Sequence, residues 1–182
     1  MISRTLPIKA VLLALLGLNA AVYASTGRVT ETLDALAWFV LLLLFELETR
    51  CPQWTRMRRN TLVLDGLRLL AAGAIAWAAT AFVREREWLD AANAWLWIGV
   101  IILLELEVRQ PALIARCRRV AMAAAIALYG GLAVIAAAWL MQGEWFDGYD
   151  AVVWIAAFAM LELDLLGRIP GAPGPAPEKI NN

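Results

Sequence analysis

The chain has no histidine, two cysteines and two lysines among its 182 residues. Without histidine it lacks the commonest metal ligand, the usual haem ligand and the usual general base of enzymes. Cys51 and Cys117 show no metal-binding or redox spacing. The sequence also contains no glycine-rich phosphate loop and no recognisable nucleophile–base pair. We therefore expect no cofactor, no bound metal and no enzymatic activity.

An excess of charge of either sign is also missing. Sixteen basic residues balance sixteen acidic ones, so the net charge is zero and no charge bias indicates a nucleic-acid partner. By contrast, 62% of the residues are hydrophobic and the mean hydropathy is +0.67. Soluble domains contain roughly 45–50% apolar residues. The composition therefore predicts an integral membrane protein in contact with lipid.

A short acidic pattern occurs three times. Its core is Glu-Leu followed by Glu or Asp, with tryptophan eight residues before the first acid and Asp or Asn twelve residues before it. The first acids, Glu46, Glu105 and Glu162, are 59 and 57 residues apart. Repeats at a nearly constant spacing indicate a repeated structural unit. The other members of the pattern are Asp34, Asn93 and Asp150, and Trp38, Trp97 and Trp154.

Each repeat contains two apolar runs of about 20 residues, the length that crosses a hydrocarbon layer about 30 Å thick. Helices are expected because they satisfy their own backbone groups in lipid. The predicted helices are 7–27, 30–49, 61–83, 88–108, 119–141 and 146–167. The first run also has the outline of a signal peptide. Its place in the first repeat matches that of helices in the other two, and this favours a retained helix.

The predicted fold is an all-α membrane domain over 1–168, with repeats at about 1–50, 60–109 and 118–168 and a disordered Pro/Gly-rich tail over 169–182. Three parallel hairpins would form a pseudo-threefold bundle. Twelve of the sixteen basic residues lie in the termini and the two loops between repeats. By the positive-inside rule, both termini are expected in the cytoplasm, in a bacterial inner membrane.

The acids of the pattern are unusual for membrane helices. Only eleven residues separate Asp34 from Glu46, and they span about 16 Å of helix, or half the hydrocarbon layer. At least one acid per helix should therefore lie within the membrane or at its boundary, where ionised groups cost roughly 2.5–3.5 kcal/mol. The residues predicted to handle a cation or a proton are Glu46, Glu105, Glu162, Glu48, Glu107 and Asp164.

These acids have two interpretations. In the first they are interfacial ion pairs, because arginine follows four residues later on the same helix face. These pairs are Glu46–Arg50, Glu105–Arg109 and Asp164–Arg168. In the second they bind a cation or a proton. Lys9 and Arg68 occupy matching positions in the first two repeats, whereas the third has Ala125, which leaves Glu162 or Asp164 as the acids most available for binding.

Two functions follow from this pattern. The first is a cation or proton channel or transporter, in which Glu46, Glu105 and Glu162 form an inward acidic ring. The second is a non-catalytic accessory or assembly subunit of a larger membrane complex, or a homo-oligomer. Eight of the nine tryptophans lie in the predicted outer half of the membrane domain, and only Trp54 is on the cytoplasmic side. This bias favours packing or interface roles for the repeat tryptophans, and Asp34, Asn93 and Asp150 suit helix first turns or a ligand site.

Overall fold

The structure, a computed structural model, describes residues 5–51, 53 and 58–166. Seven helices occupy this part of the chain. They are α1 (Thr5–Thr26), α2 (Val29–Arg50), α3 (Arg58–Glu85), α4 (Trp88–Arg109), α5 (Pro111–Arg116), α6 (Arg118–Gln142) and α7 (Trp145–Leu166). The prediction of an all-helical fold is confirmed for the described residues. The predicted tail over 169–182 lies outside them.

Among the described residues, four helices are long and apolar enough to cross a membrane, which supports an integral membrane protein. The qualifying segments are Ile8–Thr26, Asn60–Glu85, Trp88–Leu106 and Arg118–Gln142. Helices α2 and α7 are each 22 residues long but carry several ionisable groups. The sequence predicts six membrane spans. That α2 and α7 also cross the membrane stays a prediction.

The short helix α5 was not predicted. The sequence places the end of a helix before Gln110-Pro111 and leaves 109–119 as a loop. Proline occupies the first position of α5, where its fixed φ suits a helix and its missing N–H would be unpaired anyway. The backbone N–H groups of Gln110 and Cys117 close the ends of α4 and α5 on Leu106 and Leu113 carbonyls, at 2.8 and 2.9 Å. The segment 109–119 is therefore partly helical.

Two-residue connections join α1 to α2, α3 to α4 and α6 to α7. They are Gly27-Arg28, Arg86-Glu87 and Gly143-Glu144. After α6 the Glu144 N–H bonds to the Trp139 carbonyl at 2.9 Å, and Gly143 has a φ of 87°. After α3 the corresponding bond joins Glu87 to Phe82 at 3.0 Å, and Arg86 has a φ of 64°. Both turns need a residue with a positive φ, in the left-handed region, but only the turn after α6 has glycine there.

Replacing Arg86 with glycine should stabilise the protein by about 0.5–1 kcal/mol, because glycine adopts a positive φ without a clash at Cβ. Reversible unfolding by SDS in mixed micelles would measure the change in the free energy of unfolding. Gly143→Ala is the matched control and should destabilise by a similar amount. If Arg86→Gly were neutral or destabilising, the Arg86 side chain would outweigh its backbone strain.

The six long helices form a closed ring in chain order. Each contacts the long helix before it and the one after it, and α1 closes the ring against α7. The central core joins side chains of five helices: Ala37, Trp38, Ala71, Ile75, Trp97, Val100, Leu132 and Phe158. A second cluster packs α1 against α2 and α7 through Leu16, Leu42, Val153 and Ala157.

The outside of the ring is apolar. Leu69, Leu70 and Val134 are 74%, 72% and 68% exposed. Many further large apolar side chains are also exposed on the described helices. A surface of this kind would promote aggregation in water, whereas in a bilayer it faces lipid. The exposed residues therefore agree with the long apolar helices in indicating a membrane environment.

Candidate cation-binding pocket

A pocket opens at the end of the bundle that carries the three two-residue connections. It encloses about 630 Å³, part of which is open to solvent. Five carboxyl side chains and six aromatic rings line it, together with one amide and two alanines. We call it the acidic pocket. Its lining residues are Tyr23, Glu31, Asp34, Ala35, Trp38, Phe82, Asp90, Asn93, Trp97, Trp139, Asp147, Asp150, Ala151 and Trp154.

The lining residues recur at the repeat spacing. Every lining position except that of the alanines is filled by residues 59 and then 57 positions apart along the chain. These sets are Tyr23, Phe82 and Trp139; Glu31, Asp90 and Asp147; Asp34, Asn93 and Asp150; and Trp38, Trp97 and Trp154. Ala35 and Ala151 line the pocket, and Ala94, at the matching position, is buried.

Three tryptophans form the floor. The ring centroids of Trp38, Trp97 and Trp154 lie 6.1, 6.3 and 6.4 Å apart, with interplanar angles between 56° and 65°. These separations and tilts are those of favourable edge-to-face aromatic pairs. Phe158 lies beneath the floor, 4.7 Å from the Trp97 ring. The sequence places these tryptophans in packing or interface roles, and the structure brings them into contact with one another.

The inner carboxyl groups have different partners. The Trp38 indole N–H donates to Asp34 at 3.1 Å, within one turn of α2. The Asn19 amide donates to Asp150 at 2.6 Å, from α1 to α7. Asn93 occupies the third matching position, and its Oδ1 is buried without a hydrogen-bond partner in the described part of the chain. A buried acceptor of this kind costs free energy unless something donates to it.

Three carboxyl groups, those of Glu31, Asp90 and Asp147, lie at the rim of the pocket, and two of them lie against one guanidinium. Arg28 lies 2.6 Å from Glu31 and 3.8 Å from Asp90, and also pairs with Glu87 at 2.6 Å. Burial alone would lower the pKa of Arg28, but its hydrogen bonds with Glu31 and Glu87 raise that pKa above its ordinary value. Arg28 thus remains a cation that links the first hairpin connection to the second. At the opposite side of the rim, Asp147 accepts from the Tyr23 hydroxyl at 2.7 Å.

The predicted acids lie at the other end of the helices, away from this pocket. Glu46 pairs with Arg50, and Glu105 pairs with Arg109. Their environments differ, because the Glu46 side chain is 12% exposed and that of Glu105 is 56% exposed. Glu46 lines a small apolar cavity together with Lys9, which lies on α1.

Glu48 is held by a contact between repeats of the chain. It pairs with Arg68 on α3, which also lies 3.6 Å from Asp65. The side chains of Glu107, Glu162 and Asp164, and the whole of Arg168, lie outside the described part of the structure. The inward acidic ring therefore stays a prediction.

Comparison of the chain with known protein families, with curated proteins and with solved structures finds no match. The acidic pocket and its surroundings are therefore the basis for any assignment of function.

Two of the four sets of lining residues do not belong to the repeated pattern identified from the sequence. The aromatic set at Tyr23 and the acidic set at Glu31 precede the Asp/Asn position by eleven and three residues in every repeat. The signal was present, but conservative exchange among Tyr, Phe and Trp, and between Glu and Asp, concealed it. A search that grouped residues by chemistry at the spacings of 59 and 57 would have found both sets.

Proposed function

We propose that this integral membrane protein binds a cation in the acidic pocket and handles it as a carrier or a receptor. The observation that carries the proposal is the pocket's lining: it contains five carboxyl groups, and among the described residues only two of them, Glu31 and Asp90, lie against a guanidinium, that of Arg28. Opposite charge attracts a cation, and low-dielectric walls strengthen that attraction. The closed tryptophan floor favours a binding site over an open pore.

The depth of the pocket supports a site within the membrane. Trp88 and Trp145 begin α4 and α7 and are 64% and 69% exposed, as expected of aromatic anchors at a membrane interface. Trp97 lies nine residues further along α4, which corresponds to about 13 Å of helix. If the anchors mark the interface, the pocket extends from the headgroups to nearly half the depth of the hydrocarbon layer.

We further propose that α2 and α7 also cross the membrane, which makes six spans in three hairpins about a pseudo-threefold axis. The support is the closed ring of six long helices and the recurrence of lining residues from each hairpin. In this arrangement α2, α4 and α7 place the acids of their N-terminal halves that line the pocket toward one another and not toward lipid. This explains how two helices rich in ionisable groups can be accommodated in a bilayer.

Removing the three rim carboxyl groups tests the function. The triple variant Glu31→Gln/Asp90→Asn/Asp147→Asn keeps hydrogen-bond acceptors but removes three charges. Each charge contributes about 1 kcal/mol at 4 Å even in water, so we expect at least a tenfold loss of affinity. Equilibrium binding of radiolabelled rubidium and of radiolabelled trimethylammonium to protein in lipid nanodiscs would measure it.

The variant Glu46→Gln/Glu105→Gln is the matched control, because it removes charge at the opposite end of the helices. It should retain the affinity of the wild type. Loss of binding in this control alone would place the cation at the predicted acidic ring. If the folded wild type bound neither cation, the accessory-subunit function would be the better explanation, and partners that co-purify with the protein would be sought.

A further inference from the structure

We infer that the ligand of the acidic pocket is an alkylammonium ion that retains at least one N–H group, and not a bare inorganic cation. This inference rests on the proposed function and specifies its substrate class. Three features of the pocket carry it: the aromatic surface, the spacing of the acids, and one unpaired acceptor.

The aromatic surface suits an organic cation. Six rings line the pocket, three in its floor and three nearer its mouth, at Tyr23, Phe82 and Trp139. Faces of aromatic rings attract ammonium groups, and tryptophan does so most strongly. Apolar substituents on the nitrogen also gain from leaving water for such walls. A strongly hydrated inorganic ion gains nothing from these apolar contacts.

The acids of the pocket are also too dispersed for a bare metal ion. Among the described residues, no group of three or more Cys, Asp or Glu side chains is close enough to hold a metal ion. The carboxyl groups instead surround the space at two depths, which suits a cation whose charge is spread over a molecule.

The unpaired acceptor defines the required donor. Asn93 Oδ1 is buried and has no donor among the described residues. An ammonium N–H pointing toward it would remove the cost of that buried acceptor. Arg28 already illustrates the chemistry at the rim, where its N–H groups lie against Glu31 and Asp90 at 2.6 and 3.8 Å. An alkylammonium ion would extend the same recognition deeper into the pocket.

A methylation series on wild-type protein tests the inference. Ammonium, methylammonium, trimethylammonium and tetramethylammonium would compete with radiolabelled rubidium for protein in nanodiscs. We expect trimethylammonium to bind at least tenfold more tightly than ammonium or rubidium. Equal affinities across the series would overturn the inference and leave cation binding intact. Absence of binding by every ion would instead remove the proposed function itself.

Two variants test the contacts separately. Trp154→Leu should weaken trimethylammonium binding at least fivefold more than it weakens rubidium binding. Trp95→Leu, which removes an exposed tryptophan on α4 outside the pocket, should change neither. Asn93→Leu should weaken trimethylammonium binding more than tetramethylammonium binding, because tetramethylammonium has no N–H group. If Asn93→Leu weakened the binding of both ions equally, the hydrogen bond from the ligand N–H to Asn93 Oδ1 would be contradicted. If Trp154→Leu fails to fold, the methylation series on the wild type and the Asn93→Leu variant still test the inference.

Discussion

Replacing Trp97 with alanine should lower the free energy of unfolding by about 3–5 kcal/mol, the range for a large aromatic side chain removed from a packed core. Trp97 is 5% exposed. Its ring contacts those of Trp38, Trp154 and Phe158, at centroid separations of 6.1, 6.4 and 4.7 Å. Each such pair adds about 0.5–1.5 kcal/mol beyond the burial of area. Reversible unfolding by SDS in mixed micelles would measure the loss.

Trp95→Ala is the control for the Trp97 variant. Trp95 lies two residues away on the same helix and is 51% exposed, so its removal should cost less than about 1 kcal/mol. The comparison separates the loss of a central contact from a general effect of removing tryptophan from α4. Similar losses in both variants would show that the tryptophan floor does not hold the three hairpins together.

The helices could be predicted well from the sequence because their signal is local. The predicted segment 119–141 corresponds to Arg118–Gln142, and 88–108 corresponds to Trp88–Arg109. Length and apolar composition decide these boundaries, and lipid leaves few alternatives to a helix. The sequence does not predict helix α5, because the proline at its first position indicates the end of the preceding helix as readily as the start of a new one.

The site was harder to predict because it depends on which helix faces meet. The sequence drew attention to the acids that follow the apolar runs, such as Glu46 and Glu105, yet both pair with an arginine four residues later. Asp34 and Asp150 were considered chiefly as helix-start residues. They line the pocket because α2 and α7 turn the same face inward as Trp38 and Trp154. Periodicity alone did not show which end of that face would remain open.

Asymmetry within the repeats is also invisible to the pattern. The position of Asn19 is occupied by Ala78 in the second repeat and by Ile135 in the third, at spacings of 59 and 57. All three side chains are buried. Only the first can donate a hydrogen bond, and it does so across the contact between α1 and α7 that closes the ring. The first and last hairpins are thereby joined by a polar bond that the other contacts lack at this position.

Replacing Asn19 with alanine should therefore destabilise the protein by about 2–3 kcal/mol. The Asn19 side chain is 3% exposed and donates to Asp150 Oδ1 at 2.6 Å. A hydrogen bond to a charged group contributes about 1.5–3 kcal/mol, and its loss also leaves the buried carboxyl group without that donor. Tyr23→Phe removes the neighbouring bond to Asp147 and should cost less, because that bond lies nearer the open mouth of the pocket.

A double-mutant cycle separates this bond from a simple loss of packing. The effect of Asn19→Ala would be measured in the wild type and in Asp150→Ala, by SDS unfolding in mixed micelles. If the bond stabilises the contact between α1 and α7, the two substitutions are energetically coupled. Asn19→Ala should then lower the free energy of unfolding by at least about 1 kcal/mol less in the Asp150→Ala background than in the wild type. Equal costs in both backgrounds would mean that Asn19 acts through its volume alone. The helix contact would then depend on apolar packing around Leu16 and Val153, as it does in the adjoining cluster.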